Sequence, residues 1–250
     1  MRFLRTCRNY LRRNFHMAYF ADHQREKSDL CSSPKPDHAA YYAARANEYD
    51  ISVGYGTPRV EADLAPLKAS LRAALAGHDV LEIACGTGYW TLNVAQTANS
   101  IVAADADPTS IALARERLAS IATVRCIVDD AYKLENIDGP FSAAFSMFWW
   151  SHMPKSKIRD FLNTLHARLV PGARVIFVDQ LNYSHGERRH FDSEGNLIEE
   201  RRLLAGGEFE IVKNFPTEAE LAHVLAEFAQ ELDYSTCPEG RWWMMSYRTV

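Results

Sequence analysis

Three features are scarce in this 250-residue sequence, and each scarcity removes a class of protein. The five cysteines, Cys7, Cys31, Cys85, Cys126 and Cys237, are odd in number, widely separated and free of any C-x-x-C pair. They predict neither a disulfide framework nor a metal site of the zinc type. No stretch approaches the roughly 18 uninterrupted apolar residues of a membrane-spanning helix, so no membrane partner is expected. Positive charge is also short, with 28 Lys and Arg against 32 Asp and Glu and a formal net charge of -4. Nothing in that balance supplies the field that draws a protein to a phosphate backbone, and a nucleic-acid partner is disfavoured. Cys85 and Cys126 fall within apolar runs, where a thiol serves as a small hydrophobe in a reducing, cytoplasmic setting.

What is present is material for one core. With 47% hydrophobic and 24% charged residues, a chain of this length is expected to form a single catalytic domain, as a monomer or homodimer. The first 36 residues stand apart. Arg2, Arg5, Arg8, Arg12 and Arg13 precede any acid, Phe3, Cys7, Leu11 and Phe15 recur at helical spacing opposite them, and KSDLCSSPKPD reads as a linker. The spacing matches a transit peptide or an interfacial helix, although transit peptides are richer in Ser; a dispensable basic tail, with Met17 as an alternative start, is the simpler reading. Residues 37–250 carry the domain.

From Asp79 onward, apolar runs alternate with segments of helical period. DVLEIAC, SIVAAD, TVRCIV, FSAAFSMF and ARVIFVD read as parallel strands covered on both faces. Helices are expected between them, over Pro108 to Ala119 and over Pro154 to Leu169, the second halted by Pro171-Gly172. The result is an α/β fold, a Rossmann-like doubly wound sheet. After Asp179, Leu197 to Leu204 and Glu208 to Phe215 flank a glycine turn as a β-hairpin insertion. Thr217 with Glu220 forms a capping box opening a helix expected to run to Leu232, and GRWWMMSYRTV closes the chain as an antiparallel strand.

Chemistry concentrates at three strand ends. Strand 1 runs through Glu82 into Ala84-Cys85-Gly86-Thr87-Gly88 and a helix start. Glycines there let a nucleotide-like ligand approach the backbone, and the helix start offers unpaired N–H groups. Strand 2 ends at Asp105, seventeen residues past Gly88 and next to Ala106, where a carboxylate suits two ribose hydroxyls. Strand 3 ends at Asp129-Asp130-Ala131, where a carboxylate can accept from an adenine amine beside a donating backbone N–H. Each feature also has a plainer explanation as a tight turn, a helix cap or a solvated turn. Their succession in one order favours the ligand.

In that order the residues resemble class I S-adenosylmethionine-dependent methyltransferases, particularly bacterial small-molecule members, over about Tyr41 to Phe177. The resemblance implies S-adenosyl-L-methionine as cofactor, with Glu82, Ala84, Gly86 and Gly88 in its methionine-binding motif, Asp105 and Ala106 at the ribose, and Asp130 with Ala131 at the adenine. LVPGARVIFVD is similar to the family's strand-5 signature. YYAARANEYD is similar to its leading segment, whose tyrosines, here Tyr42, close over the cofactor. Three positions depart from the pattern: Ala84 and Ala173 replace glycines, and Ser142 stands where Asp is usual. An NAD(P)-dependent oxidoreductase is the first rival, but the third small residue of its fingerprint would fall at Thr91. A non-catalytic cofactor-binding protein is the second. A nucleic-acid methyltransferase ranks last, for want of an N/D-P-P-Y/F tetrapeptide.

The acceptor pocket belongs beyond the carboxyl ends of the strands, and strand 4 ends there in Phe148-Trp149-Trp150-Ser151-His152. His152 is the candidate catalytic residue, since imidazole titrates near neutrality and suits the removal of one proton from a small-molecule hydroxyl or amine. The segment DQLNYSHGERRHFDSEGNL after strand 5 reads as a lid or a solvated loop. Because the basic tail lies outside the core pattern, removing the residues before Ser32 should leave the melting temperature within a few degrees. A large drop in a calorimetric scan of the shortened protein would show instead that the tail packs on the domain.

Overall fold

In the computed structural model, Lys35–Val250 forms one compact unit, and the structure describes residues 38–182, 188–203 and 206–250. Strand-like apolar runs become strands wherever the sequence leads one to expect them. They are β1 (Asp79–Ile83), β2 (Ser100–Asp105), β3 (Val124–Val128), β4 (Phe141–Met147) and β5 (Leu169–Gln180). β1 pairs in parallel with both β2 and β4, β2 with β3, and β4 with β5. The sheet therefore reverses its winding at β1, and the crevice outside the carboxyl ends of β1, β2 and β4 is where an open α/β sheet binds ligands.

Helices cover both faces. Before β1 lie α1 (His38–Arg45), α2 (Tyr49–Val53) and α3 (Pro58–Leu75); α4 (Tyr89–Val94) follows β1 and α5 (Pro108–Arg117) follows β2. Leu67, Leu71 and Leu75 of α3 pack with Trp90 and Val94 of α4 on one face. On the other, Phe161, Leu162 and Leu165 of α6 (Ile158–His166) join Leu221 and Leu225 of α7 (Glu218–Leu225). Asp107 caps α5 by accepting from the Ser110 N–H. α6 is shorter than its periodicity suggests, because Lys155–Lys157 forms a separate 3-10 turn. The Pro171-Gly172 pair sits as an irregularity inside β5, where the pairing jumps from Phe141–Leu169 to Ala143–Arg174.

The capping box forms at Thr217 and Glu220 as expected, but the helix it opens ends at Leu225, not Leu232. The next residues form β9 (Ala229–Thr236), antiparallel to β10 (Trp242–Thr249), which itself lies antiparallel on β5. The sheet thus reads β3-β2-β1-β4-β5-β10-β9. Pairing with the open edge of β10 overrides the helix propensity of Ala229-Gln230-Glu231-Leu232. The inserted hairpin is present as β7 (Leu197–Arg202) and β8 (Glu208–Val212), with β6 (Arg189–Phe191) added to make a separate three-stranded sheet. Part of the segment read as a lid is therefore strand β6. Among the described residues, no helix is long and apolar enough to cross a membrane.

The insertion is joined to the main sheet through a buried polar knot. Asp179, at the end of β5, accepts from the backbone N–H of Ser151 at 2.7 Å and from its hydroxyl at 3.1 Å. Lys213, just past β8, donates to the Ser151 hydroxyl at 2.7 Å and lies 3.7 Å from Asp179. Both charges are buried, and burial pulls the Lys213 ammonium below its usual range while Asp179 pushes it back. Asn214 continues the seam, donating its backbone N–H to the Ser151 carbonyl and its side-chain amide to that of Met153. A buried pair broken on one side leaves its partner uncompensated. Asp179→Ala should accordingly cost about 3 to 5 kcal/mol in urea unfolding, whereas a loss near zero would show that the knot is not a stability determinant.

Candidate functional site

At the carboxyl ends of β1, β2 and β3 the chain builds one rigid edge. After β1 the backbone enters the left-handed region at Ala84 (φ 54), Gly86 (φ 55) and Gly88 (φ 77). Ala84 holds that conformation despite its Cβ, so its departure from glycine carries backbone strain on the order of 1 kcal/mol rather than a volume penalty. A Cβ on Gly86 would meet nothing within 4 Å, whereas one on Gly88 would lie 3.0 Å from Leu118 and 3.2 Å from the Ala114 methyl. Gly86 thus gives open access to the crevice, and Gly88 lets α5 pack closely. Asp105 ties the edge together by accepting from the Gly86 N–H at 2.8 Å and from the Asp107 N–H at 2.9 Å. Burial raises its carboxyl above the ordinary range, and those two bonds oppose the rise. Asp129 braces the β3 turn through the N–H groups of Asp130 and Asn136. Asp130 accepts from the Tyr132 N–H, with one face still exposed.

Above this edge lies a cavity of about 1070 Å³, whose walls include Ala84, Gly86, Asp105, Ala106, Asp130 and Ala131 at one end. At the other end it is lined by Tyr42, Tyr49, Phe148, Trp149 and His152. That exceeds the 300–1,000 Å³ or so of an ordinary single-ligand pocket, and leaves room for a nucleoside-sized molecule and a second, smaller one. α1 and α2 roof it. Asp50 latches the roof to the glycine loop, accepting from the Thr87 hydroxyl at 2.7 Å and from Arg117 of α5, which also donates to the Thr87 carbonyl. Tyr55 stacks face to face on Tyr89 with centroids 3.6 Å apart and accepts from the Trp90 indole N–H.

The far wall is made by the end of β4 and the residues after it, with the inserted hairpin behind His152. Phe148 takes φ 56 and turns the chain out of the strand. Trp150 buries itself against Phe177, with centroids 4.8 Å apart, and belongs to the core; Trp149 remains at the cavity. His152 sits in a 3-10 turn, and its Nδ1 lies 2.9 Å from the Val212 carbonyl of β8. Its Nε2 lies 2.7 Å from the Tyr42 hydroxyl of α1. The Val212 N–H donates in turn to Nε2 of His38. Burial, with Lys213, His38 and Arg201 nearby, pushes the His152 imidazole well below its ordinary pKa, and burial pushes the Tyr42 phenol well above its own. No group of three His, Cys, Asp or Glu side chains among the described residues is placed to hold a metal ion.

Residues 80–172 match the family model of a methyltransferase domain. DhpI in its SAH complex is 28% identical over 84% of this chain and 94% of its own, with a TM-score of 0.65. The DhpI-SAM-HEP complex, also at 28%, superposes over 85% of this chain and 99% of its own with a TM-score of 0.67. CcbJ methyltransferase from Streptomyces caelestis, at 18% identity, covers 86% of this chain and 99% of its own with a TM-score of 0.64, and speaks for the fold alone. No curated protein matches the sequence. Residues 80–172 are thus a methyltransferase domain by sequence, and the fold around them is the one DhpI shares.

Eight of the ten residues singled out from sequence line this cavity: Tyr42, Ala84, Gly86, Asp105, Ala106, Asp130, Ala131 and His152. Gly88 lies just outside it, in the packing role described above. Glu82 is buried beneath the loop, accepting from the Thr91 hydroxyl at 2.6 Å. Tyr42 turns its hydroxyl toward His152. Ser142 lies at the opposite end of β4, bonded to His78 and to the Asp79 N–H, so the missing Asp there leaves the cavity untouched. Sequence reasoning does not find Asp50, Arg117, Tyr55 or Val212. They meet their partners across dozens of residues, and a backbone carbonyl such as that of Val212 leaves no sequence signal.

Burial raises the Glu82 carboxyl from 4.5 to about 8, with the Thr91 bond opposing and Asp105 adding to the rise. The folded state therefore holds a proton that the unfolded state releases, and the stability this confers is complete below about pH 4.5 and lost as pH rises to about 8. Glu82→Gln, which keeps an acceptor for Thr91, should flatten that decline in chemical denaturation between these limits. Parallel stability–pH curves for the two proteins would mean Glu82 is ionised in the fold.

Proposed function

We propose that the protein transfers a methyl group from S-adenosylmethionine to an oxygen or nitrogen of a small molecule. The observation that carries this reading is the single cavity joining the Gly86–Asp105–Asp130 edge to an aromatic wall bearing His152. When bound, the cofactor supplies an electrophilic methyl carbon on a positively charged sulfur. The chain's own residues have two tasks: to hold the acceptor in line with that carbon and to manage one proton. Asp105 has lone pairs left beyond its two backbone bonds for ribose hydroxyls, and the exposed face of Asp130 suits an adenine amine. Tyr49, Tyr55, Phe148 and Trp149 give the cavity aromatic faces that favour a cation and exclude water. His152 stands at the acceptor end.

The catalytic unit in this reading is residues 37–250, with the basic tail outside it. Cys85, Cys126 and Cys237 are free thiols, which suits a reducing, cytoplasmic compartment. A small molecule is the preferred acceptor because the cavity is roofed and largely apolar, unlike an open groove with a basic stripe. S-adenosylhomocysteine should bind with micromolar affinity in calorimetry, and Asp105→Ala should weaken it by about 1.5 to 3 kcal/mol, the range for hydrogen bonds to a charged group. No heat with S-adenosylhomocysteine but clear binding of a nicotinamide dinucleotide would replace this reading with a dehydrogenase.

A further inference from the structure

We propose that the acceptor is a hydroxyl compound, and that its proton is drawn off through the Tyr42 hydroxyl to Nε2 of His152. The proposal rests on the methyl-transfer reading above and narrows it. The Val212 carbonyl has no proton to give, so Nδ1 of His152, 2.9 Å away, must carry the ring proton. Nε2 is then bare, and the Tyr42 hydroxyl at 2.7 Å donates to it. Both nitrogens are occupied. A molecule in the cavity therefore meets the imidazole only through Tyr42, whose oxygen keeps a lone pair for a donor. Tyr42 is the catalytic residue in contact with the acceptor, and His152 is the proton's destination behind it.

The surroundings of the ring select the acceptor atom. Lys213 just past β8, Arg201 on β7 and His38 on α1 each act against a positive charge on His152, and burial acts in the same direction. A carboxylate, the usual means of strengthening an imidazole base, has no free nitrogen to bond. Such a weak base does not strip an alkylammonium. A hydroxyl is different. Its oxygen becomes strongly acidic only while it bonds to carbon, so a weak base suffices at that moment. As the acceptor oxygen forms its bond to the methyl carbon, the pair from the broken carbon–sulfur bond stays on sulfur. The acceptor proton passes to the Tyr42 oxygen as the Tyr42 proton passes to Nε2. An ether, a thioether and a protonated His152 result, and the proton returns through Tyr42 to water when the product leaves.

Two measurements on the full-length protein test this. With the histidine nitrogens isotopically labelled and S-adenosylhomocysteine saturating, nuclear magnetic resonance should show His152 neutral and protonated at Nδ1, with its Nε2 signal displaced in Tyr42→Phe. A ring protonated at Nε2, or an imidazolium at neutral pH, overturns the relay. In the second, phenol, benzyl alcohol and benzylamine are offered together with S-adenosylmethionine, and mass spectrometry follows the gain of one methyl. Product is expected from a hydroxyl compound and not from the amine, falling roughly 10²- to 10⁴-fold in Tyr42→Phe and in His152→Ala. Methylation of the amine, or of none of the three, overturns the hydroxyl assignment. Calorimetry with S-adenosylhomocysteine separates the two levels. Absence of binding sinks methyl transfer itself, whereas binding accompanied by the wrong tautomer or by an amine product sinks only the relay.

Discussion

Asp105 holds the glycine loop in place before any ligand arrives. Its two carboxylate oxygens take the Gly86 and Asp107 N–H groups, joining the loop after β1 to the start of α5. The loop needs that restraint. It contains three residues in the left-handed region, one of them an alanine, and such a conformation persists only where its surroundings over-determine it. Gly88 adds a packing constraint against α5, and Asp50 with Arg117 adds an ionic one from above. The positions of the adjacent cavity walls, and of the roof latched to Thr87, follow from this loop.

How much of this the sequence discloses depends on how local the cause is. The strands at 79–83, 100–105 and 141–147 are legible because parallel strands covered on both faces are mostly apolar. The strand at 124–128, which the sequence presents as covered likewise, lies at the sheet edge with none of its residues buried, and it is legible from its β-branched residues. The Asp107 cap and the Thr217–Glu220 box are legible because their partners lie three residues away. The strand at 229–236 is not. Its residues favour a helix in isolation, and only the edge of β10 makes a strand of them. Glu82 shows the same limit at the site. Its place in the motif is plain, but whether it faces ligand or Thr91 depends on a helix whose orientation the motif does not specify.

His152 is legible as a residue but not as a chemical state. From sequence it is an imidazole at a strand end, free to titrate near neutrality. In the fold a carbonyl from β8 meets one ring nitrogen, a phenol from α1 meets the other, and burial lowers its pKa well below the ordinary range. The inserted sheet thus backs the cavity wall at His152 and is joined to Ser151 and Asp179 through Lys213 and Asn214.

The roof has a thermodynamic consequence. Tyr42 at the acceptor end, Asp50 over the glycine loop and Tyr55 against Tyr89 all belong to one short stretch of chain. The fold orders that stretch through these contacts, so the conformational entropy of closing it is lost on folding and not on binding. A substitution that frees the stretch would move that cost onto every molecule that binds beneath it.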